Sequence, residues 1–100
     1  MQVRFLKPAE TEVLEAIAYY DLQRENLGDR FEQELQATVN FVTKHPLAGK
    51  RISRTVRKFP LRKFLYNLIY IVQESEIVIV AVAHHRRRPA YWIRRLADSR

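Results

Sequence analysis

One stretch of this sequence gathers more reactive groups than any other: His84-His85-Arg86-Arg87-Arg88-Pro89-Ala90-Tyr91-Trp92. Guanidinium groups can hold phosphates, and flat rings can stack a base. Imidazole titrates near pH 6.5, which makes it the usual general acid or base. Neighbouring residues on extended backbone face opposite ways, so only one of His84 and His85 can enter a given cleft. The pair therefore does not read as two ligands of one metal, and with His45 far along the chain and no cysteine, no metal site is expected. The same run also reads as a solvated basic turn. In that reading Trp92 folds back as a lid on the structure beneath, and His84 bonds a strand-end carbonyl.

A second basic cluster comprises Arg51, Arg54, Arg57, Lys58, Arg62 and Lys63. If Arg51 to Val56 is a strand, Arg51, Ser53, Thr55 and Arg57 share one face and Arg54 lies on the other. Such a face suits a phosphate, and it equally suits an edge strand that uses charge to prevent aggregation. No phosphate-binding loop, nucleophile elbow or His-Glu-x-x-His motif occurs, and the helix carboxylates read as solvated faces.

The elements that must position these groups follow from periodicity. Gln2 to Leu6 alternates as a short strand ending at Lys7-Pro8, where proline suits the first turn of a helix. From Pro8 to about Asn26, Val13, Ile17 and Tyr20 recur at helical spacing beside Ala16, with Glu10, Glu12, Glu15 and Asp21 on other faces. Leu27-Gly28 is expected to close this helix, with Asp29 and Glu32 forming a capping-box-like start to the next. The second helix, to about Lys44, carries the stripe Phe31, Leu35, Thr38/Val39 and Val42, and ends at His45-Pro46. The short hinge makes the two an antiparallel hairpin.

Thereafter the pattern favours strands: Arg51 to Val56, interrupted by Pro60; Phe64 to Val72, with Asn67 its one polar interruption; and the unbroken apolar run Ile77 to Ala83. Gln73 to Glu76 is short enough for a hairpin turn. A run apolar on both faces implies a strand covered on both sides. Ala90 to Ala97 can form a helical turn or two. The expected fold class is α+β: an N-terminal strand, a helical hairpin, a three-stranded antiparallel meander and a short helical tail.

Composition limits what such a fold can do. The 100 residues, 47% hydrophobic with two glycines and four prolines, suffice for one domain and leave no spare core around a large cofactor, so none is expected. No apolar run approaches the roughly 20 residues of a membrane span, and the absence of cysteine suits a reducing compartment, so a cytoplasmic location is expected. Residues 1–50 hold six basic and eight acidic side chains, net −2, whereas residues 51–100 hold twelve and three, net +9. That field attracts polyanions, either nucleic acid or an acidic protein segment, and it also serves solubility.

Several pieces of the chain, in order and spacing, resemble the ParE/RelE toxins of bacterial type II toxin–antitoxin (plasmid stabilisation) modules. They are Pro8-Ala9-Glu10, Ala18-Tyr19-Tyr20, Leu27-Gly28-x-x-Phe31-x-x-Glu34-Leu35, His45-Pro46 and Ala81-Val82-x-His84-x-x-Arg87-x-Pro89-x-x-Trp92. The resemblance implies a helical hairpin on a small antiparallel sheet. It further implies one of two actions. A ParE-like toxin binds DNA gyrase, with His84, Arg86, Arg87, Arg88, Trp92 and Arg95 as target-binding residues. A RelE-like toxin cleaves mRNA on the ribosome, with His85, Tyr91, Arg51, Arg54 and Arg57 as catalytic residues. The closing His-x-x-Arg-x-Pro-x-x-Trp resembles the ParE side, while arginine in place of the RelE lysines is a poor proton acceptor. The resemblance also implies a cognate antitoxin, whose acidic and apolar C-terminal segment would fold over the hairpin and sheet in a hetero-oligomer. Charge alone also allows a third reading, a non-toxic nucleic-acid-binding module.

Overall fold

The computed structural model describes residues 1–99. Strand β1 (Gln2–Phe5) leads into helices α1 (Lys7–Gln23) and α2 (Leu27–Lys44). Strands β2 (Lys50–Arg51), β3 (Val56–Pro60), β4 (Tyr66–Val72) and β5 (Glu76–His84) follow, and a 3-10 helix spans Ile93–Ser99. The strands form one sheet in the order β1-β5-β4-β3-β2. β1 lies parallel to β5 and the remaining pairs are antiparallel. The expected α+β architecture and meander are present, and the N-terminal strand extends the meander at the β5 edge. No helix among the described residues is long and apolar enough to cross a membrane.

The hairpin packs on one face of the sheet because α2 presents Phe31, Leu35, Thr38, Val39 and Val42 on one side, all buried. Against them stand Leu68 and Tyr70 of β4 and Ile77, Ile79 and Val82 of β5. Phe31 meets Tyr20, Phe64 and Tyr66 with ring centroids 5.1–5.4 Å apart, within the range where aromatic pairs add to area burial. The opposite face has a second apolar layer: Val56, Ile69, Ile71, Val78, Val80, Ala81 and Ala83, covered by Leu6 and Trp92. Trp92 is 6% exposed. It is the lid allowed by the sequence, packed on the sheet with one edge at the outer cleft. Because β5 is covered on both faces, its sequence shows no alternation.

Three boundaries differ from expectation. First, α1 ends at Gln23, and the left-handed residue between the helices is Asn26, at φ 66°; asparagine tolerates this conformation. Gly28 lies inside α2, and what it supplies is space: its N–H donates to Asp21 Oδ1 at 2.9 Å, and a Cβ would stand 2.4 Å from that oxygen and 2.7 Å from the Ile17 carbonyl. Second, α2 begins at Leu27 with no side-chain cap bond, so Asp29 and Glu32 form no capping box. Third, Arg51 to Val56 is not a strand. Residues 52–55 form a loop between β2 and β3, and Arg51 pairs with Arg57 across it. Pro60 ends β3 opposite Asn67 rather than interrupting a longer strand.

Tyr70 ties the loop after α2 to the sheet: its hydroxyl donates to the Pro46 carbonyl at 2.8 Å and accepts the Gly49 N–H at 2.9 Å. Arg57 Nη1 donates to the Gly49 carbonyl at 2.9 Å beside it.

Gly28→Ala should destabilise the fold by about 1–3 kcal/mol, because helix–helix contact must open to admit one methyl group. Urea unfolding measures this, and an unchanged midpoint would show that the contact is looser than described.

Candidate target-binding surface

The basic run leaves the end of β5, and the way that strand ends fixes its position. β1 pairs with β5 only as far as Phe5 opposite Ile79, and the last backbone bond between them runs from Leu6 N–H to the Ile79 carbonyl at 3.0 Å. A register shift opposite Ile69/Tyr70 places Val80 and Ala81 on the same face. Beyond Ile79 this edge of β5 has no strand beside it among the described residues, and a buried backbone group without a partner is costly.

Side chains complete that edge. Glu12 of α1 accepts the Val82 N–H at 3.0 Å with Oε1, and Arg95 Nη1 donates to the Val80 carbonyl at 3.1 Å. The two also pair with each other, at 2.8 Å through Nη1 and 3.1 Å through Nη2. Tyr91 donates its hydroxyl to Glu12 Oε2. The Arg87 guanidinium lies 3.9 Å from the centre of the Tyr91 ring, and that of Arg95 lies 5.1 Å from it. One carboxylate thus serves a backbone amide, an arginine and a phenol.

Electrostatics agree with this geometry. Burial, followed by the hydrogen bond to Glu12, pushes the Tyr91 phenol far above the usual phenol range, so it keeps its proton at any physiological pH. Burial alone would lower the Arg95 pKa, but the Glu12 bond and charge outweigh it and the guanidinium is held above its ordinary value. His84 is depressed from 6.5 by burial and by the neighbouring His85 and Arg86. Its Nδ1 accepts the Arg86 N–H at 3.0 Å, in place of the expected bond to a carbonyl, and its ring stands edge-on to Tyr66.

The sequence-derived candidates fall into separate places. His85, Arg86 and Arg88 are exposed on the turn, which is anchored by the His85 N–H to the Leu65 carbonyl at 2.8 Å. Arg87 and Arg95 are engaged with Tyr91, His84 is half-buried and Trp92 is core. On the outer face of the sheet a cleft of about 410 Å³ includes His85 and Tyr91 in its lining but none of Arg51, Arg54 and Arg57. Arg57 instead holds the Leu47 and Gly49 carbonyls, and Arg54 lies on the exposed 52–55 loop. The residues expected for RNA cleavage are therefore not assembled into one site. No cluster of three or more His, Cys, Asp or Glu suited to a metal exists among the described residues.

Sequence reasoning missed Glu12, reading it as solvated. Its spacing carried the signal: it is three residues after Ala9 and four before Ala16, both essentially buried, so it lies on the packed face of α1.

Glu12→Ala should cost about 2–3 kcal/mol, since it leaves a half-buried guanidinium, an amide and a phenol without their shared partner. Tyr91→Phe should cost only about 0.5–1.5 kcal/mol. Chemical unfolding of the two variants separates these magnitudes, and equal losses would contradict the central place given to Glu12. Because His84 takes up its proton less readily folded than unfolded, stability should decline as pH falls below 6.5. His84→Gln should flatten that part of the profile in thermal unfolding between about pH 7 and 5.5; an unaltered slope would assign it to other groups.

Comparison with known proteins bears on the fold and on the chain up to the basic turn. A search of the curated proteins found no match. Among solved structures, a chain described as "Chromosomal ParDE TA system from P. aeruginosa" shares the fold, with a TM-score of 0.74 at 16% identity over 84% of this chain and 95% of that one. A sequence model described as "ParE toxin of type II toxin-antitoxin system, parDE" matches residues 3–89, which take in both helices, β2 to β5, most of β1 and the basic run as far as Pro89. The chain belongs to the ParE toxin family of type II toxin–antitoxin systems.

Proposed function

We propose that this chain arrests growth by binding DNA gyrase in the cytoplasm, without catalysing a reaction itself, and that a cognate antitoxin neutralises it in a hetero-oligomeric complex. The observation that carries the reading is the division of labour at the end of β5. Glu12, Arg95 and Tyr91 are consumed in holding the turn, while Arg86 and Arg88 on that turn stay exposed. A protonated phenol bonded to a carboxylate cannot act as a base, and arginine remains charged, so neither relieves an RNA 2′-hydroxyl of its proton. A rigid cationic projection suits recognition of an acidic protein surface. The net +9 of residues 51–100 equally suits an antitoxin with an acidic segment.

Purified chain should inhibit DNA supercoiling by gyrase, and the double substitution Arg86→Ala/Arg88→Ala should weaken inhibition at least about tenfold, as loss of central charged anchors does. The substitutions should leave the unfolding midpoint unchanged. Transcripts mapped at their 5′ ends after induction should remain intact. New ends in register with codons would instead establish ribosome-dependent cleavage and return His85 to a catalytic role.

A further inference from the structure

Asn67 is the one polar residue in the strand sequence Phe64 to Val72, and nothing in the gyrase reading uses it. In the sheet it pairs with Pro60 and Ala83, and its side chain lines the outer cleft. The apolar lining there includes Ile69, Ala83 and Trp92, and the basic side chains on it include Lys58, His85 and Arg88. Lys58 enters because its partner across the β3–β4 pair is Ile69, which puts it on the outer face rather than beneath the hairpin. Lys58, His85 and Arg88 form no side-chain hydrogen bond or ion pair with the described residues, in contrast to Arg57 and Arg95 nearby, while Arg87 stacks on Tyr91. The side-chain amide of Asn67 is likewise without a partner among them.

We propose that this cleft binds a single unpaired nucleotide. The base would rest on the apolar floor with its edge against Asn67, and Lys58, His85 and Arg88 would hold the phosphate. Three features support this assignment. A volume of about 410 Å³ lies in the range of about 300–1,000 Å³ usual for small-molecule sites. An asparagine amide offers one donor and one acceptor side by side, the pattern that meets an adenine edge. Free cations next to apolar surface form the pairing used where single strands bind. A duplex does not fit this description, because its bases are stacked on one another and present only their edges, so none can lie flat on the apolar floor.

The ligand can be a free nucleoside phosphate or one residue of a single strand, and the reading requires neither gyrase nor antitoxin. Trp92 is the only tryptophan in the chain and lines the cleft, so its fluorescence reports occupancy. The full-length chain would be titrated with adenosine 5′-monophosphate, with a short single-stranded oligodeoxyadenylate and with inorganic phosphate, each repeated by calorimetry. Saturable binding of the mononucleotide with a dissociation constant below about 1 mM is expected, together with weaker binding of phosphate alone. Asn67→Ala should weaken it about tenfold, and Lys58→Ala should reduce its salt dependence, both with an unchanged unfolding midpoint. Tighter binding of the oligonucleotide would identify a strand as the source, and equal binding a free nucleotide. Absence of saturable binding by both nucleotide probes would overturn the proposal. So would phosphate binding as tightly as the nucleotide, or an Asn67→Ala variant with unaltered affinity.

Discussion

β1 is too short for the strand it supports. It covers β5 only to Ile79, whereas β5 runs on to His84, leaving an edge that must be completed by something other than backbone. Glu12 and Arg95 do so, one accepting the Val82 amide and the other donating to the Val80 carbonyl, and their mutual ion pair fixes both. A partly buried pair of this kind is weak evidence for stability by itself, because desolvation offsets much of the attraction. Its value here is that each partner also satisfies a backbone group that would otherwise be orphaned.

The rest of the functional end depends on that arrangement. Tyr91 reaches Glu12 from beyond the basic turn, so the turn is fastened at both ends, by β5 before it and by the phenol after it. Trp92 follows directly and closes the outer apolar layer. The cations on the turn therefore divide into those that stack on Tyr91 and those left free, and only the free ones can meet a partner without dismantling the fold. The outer cleft inherits its walls from the same feature, since its rim is the turn and its floor is the doubly covered sheet.

Much of this was legible in the residues. The α2 stripe, the doubly buried β5 run and the hairpin between β4 and β5 follow from periodicity, because burial against a sheet leaves a repeating signature. The helix junction did not: Leu27-Gly28 has the pattern of a helix end, yet glycine is needed there for its missing side chain, and Asn26 takes the left-handed turn. The loop at residues 52–55 alternates like a strand but has no apolar face to bury. At the site, the basic turn stood out by composition. Glu12 did not, since a carboxylate on a helix usually faces solvent, and only the distant, unsatisfied edge of β5 gives it another purpose. The RNA-cleaving set followed from the RelE resemblance, and position along the chain does not reveal that Arg57 faces the loop after α2 while His85 faces the outer cleft.

Amide hydrogen exchange at Val82 tests most directly whether a side chain completes the sheet. The account predicts protection of this amide close to that of the β5 core, although no strand of the described residues faces that edge of β5, and loss of that protection in Glu12→Ala along with faster exchange across residues 86–92. Rapid exchange at Val82 in the unaltered chain, or protection that survives removal of the Glu12 carboxylate, would contradict it.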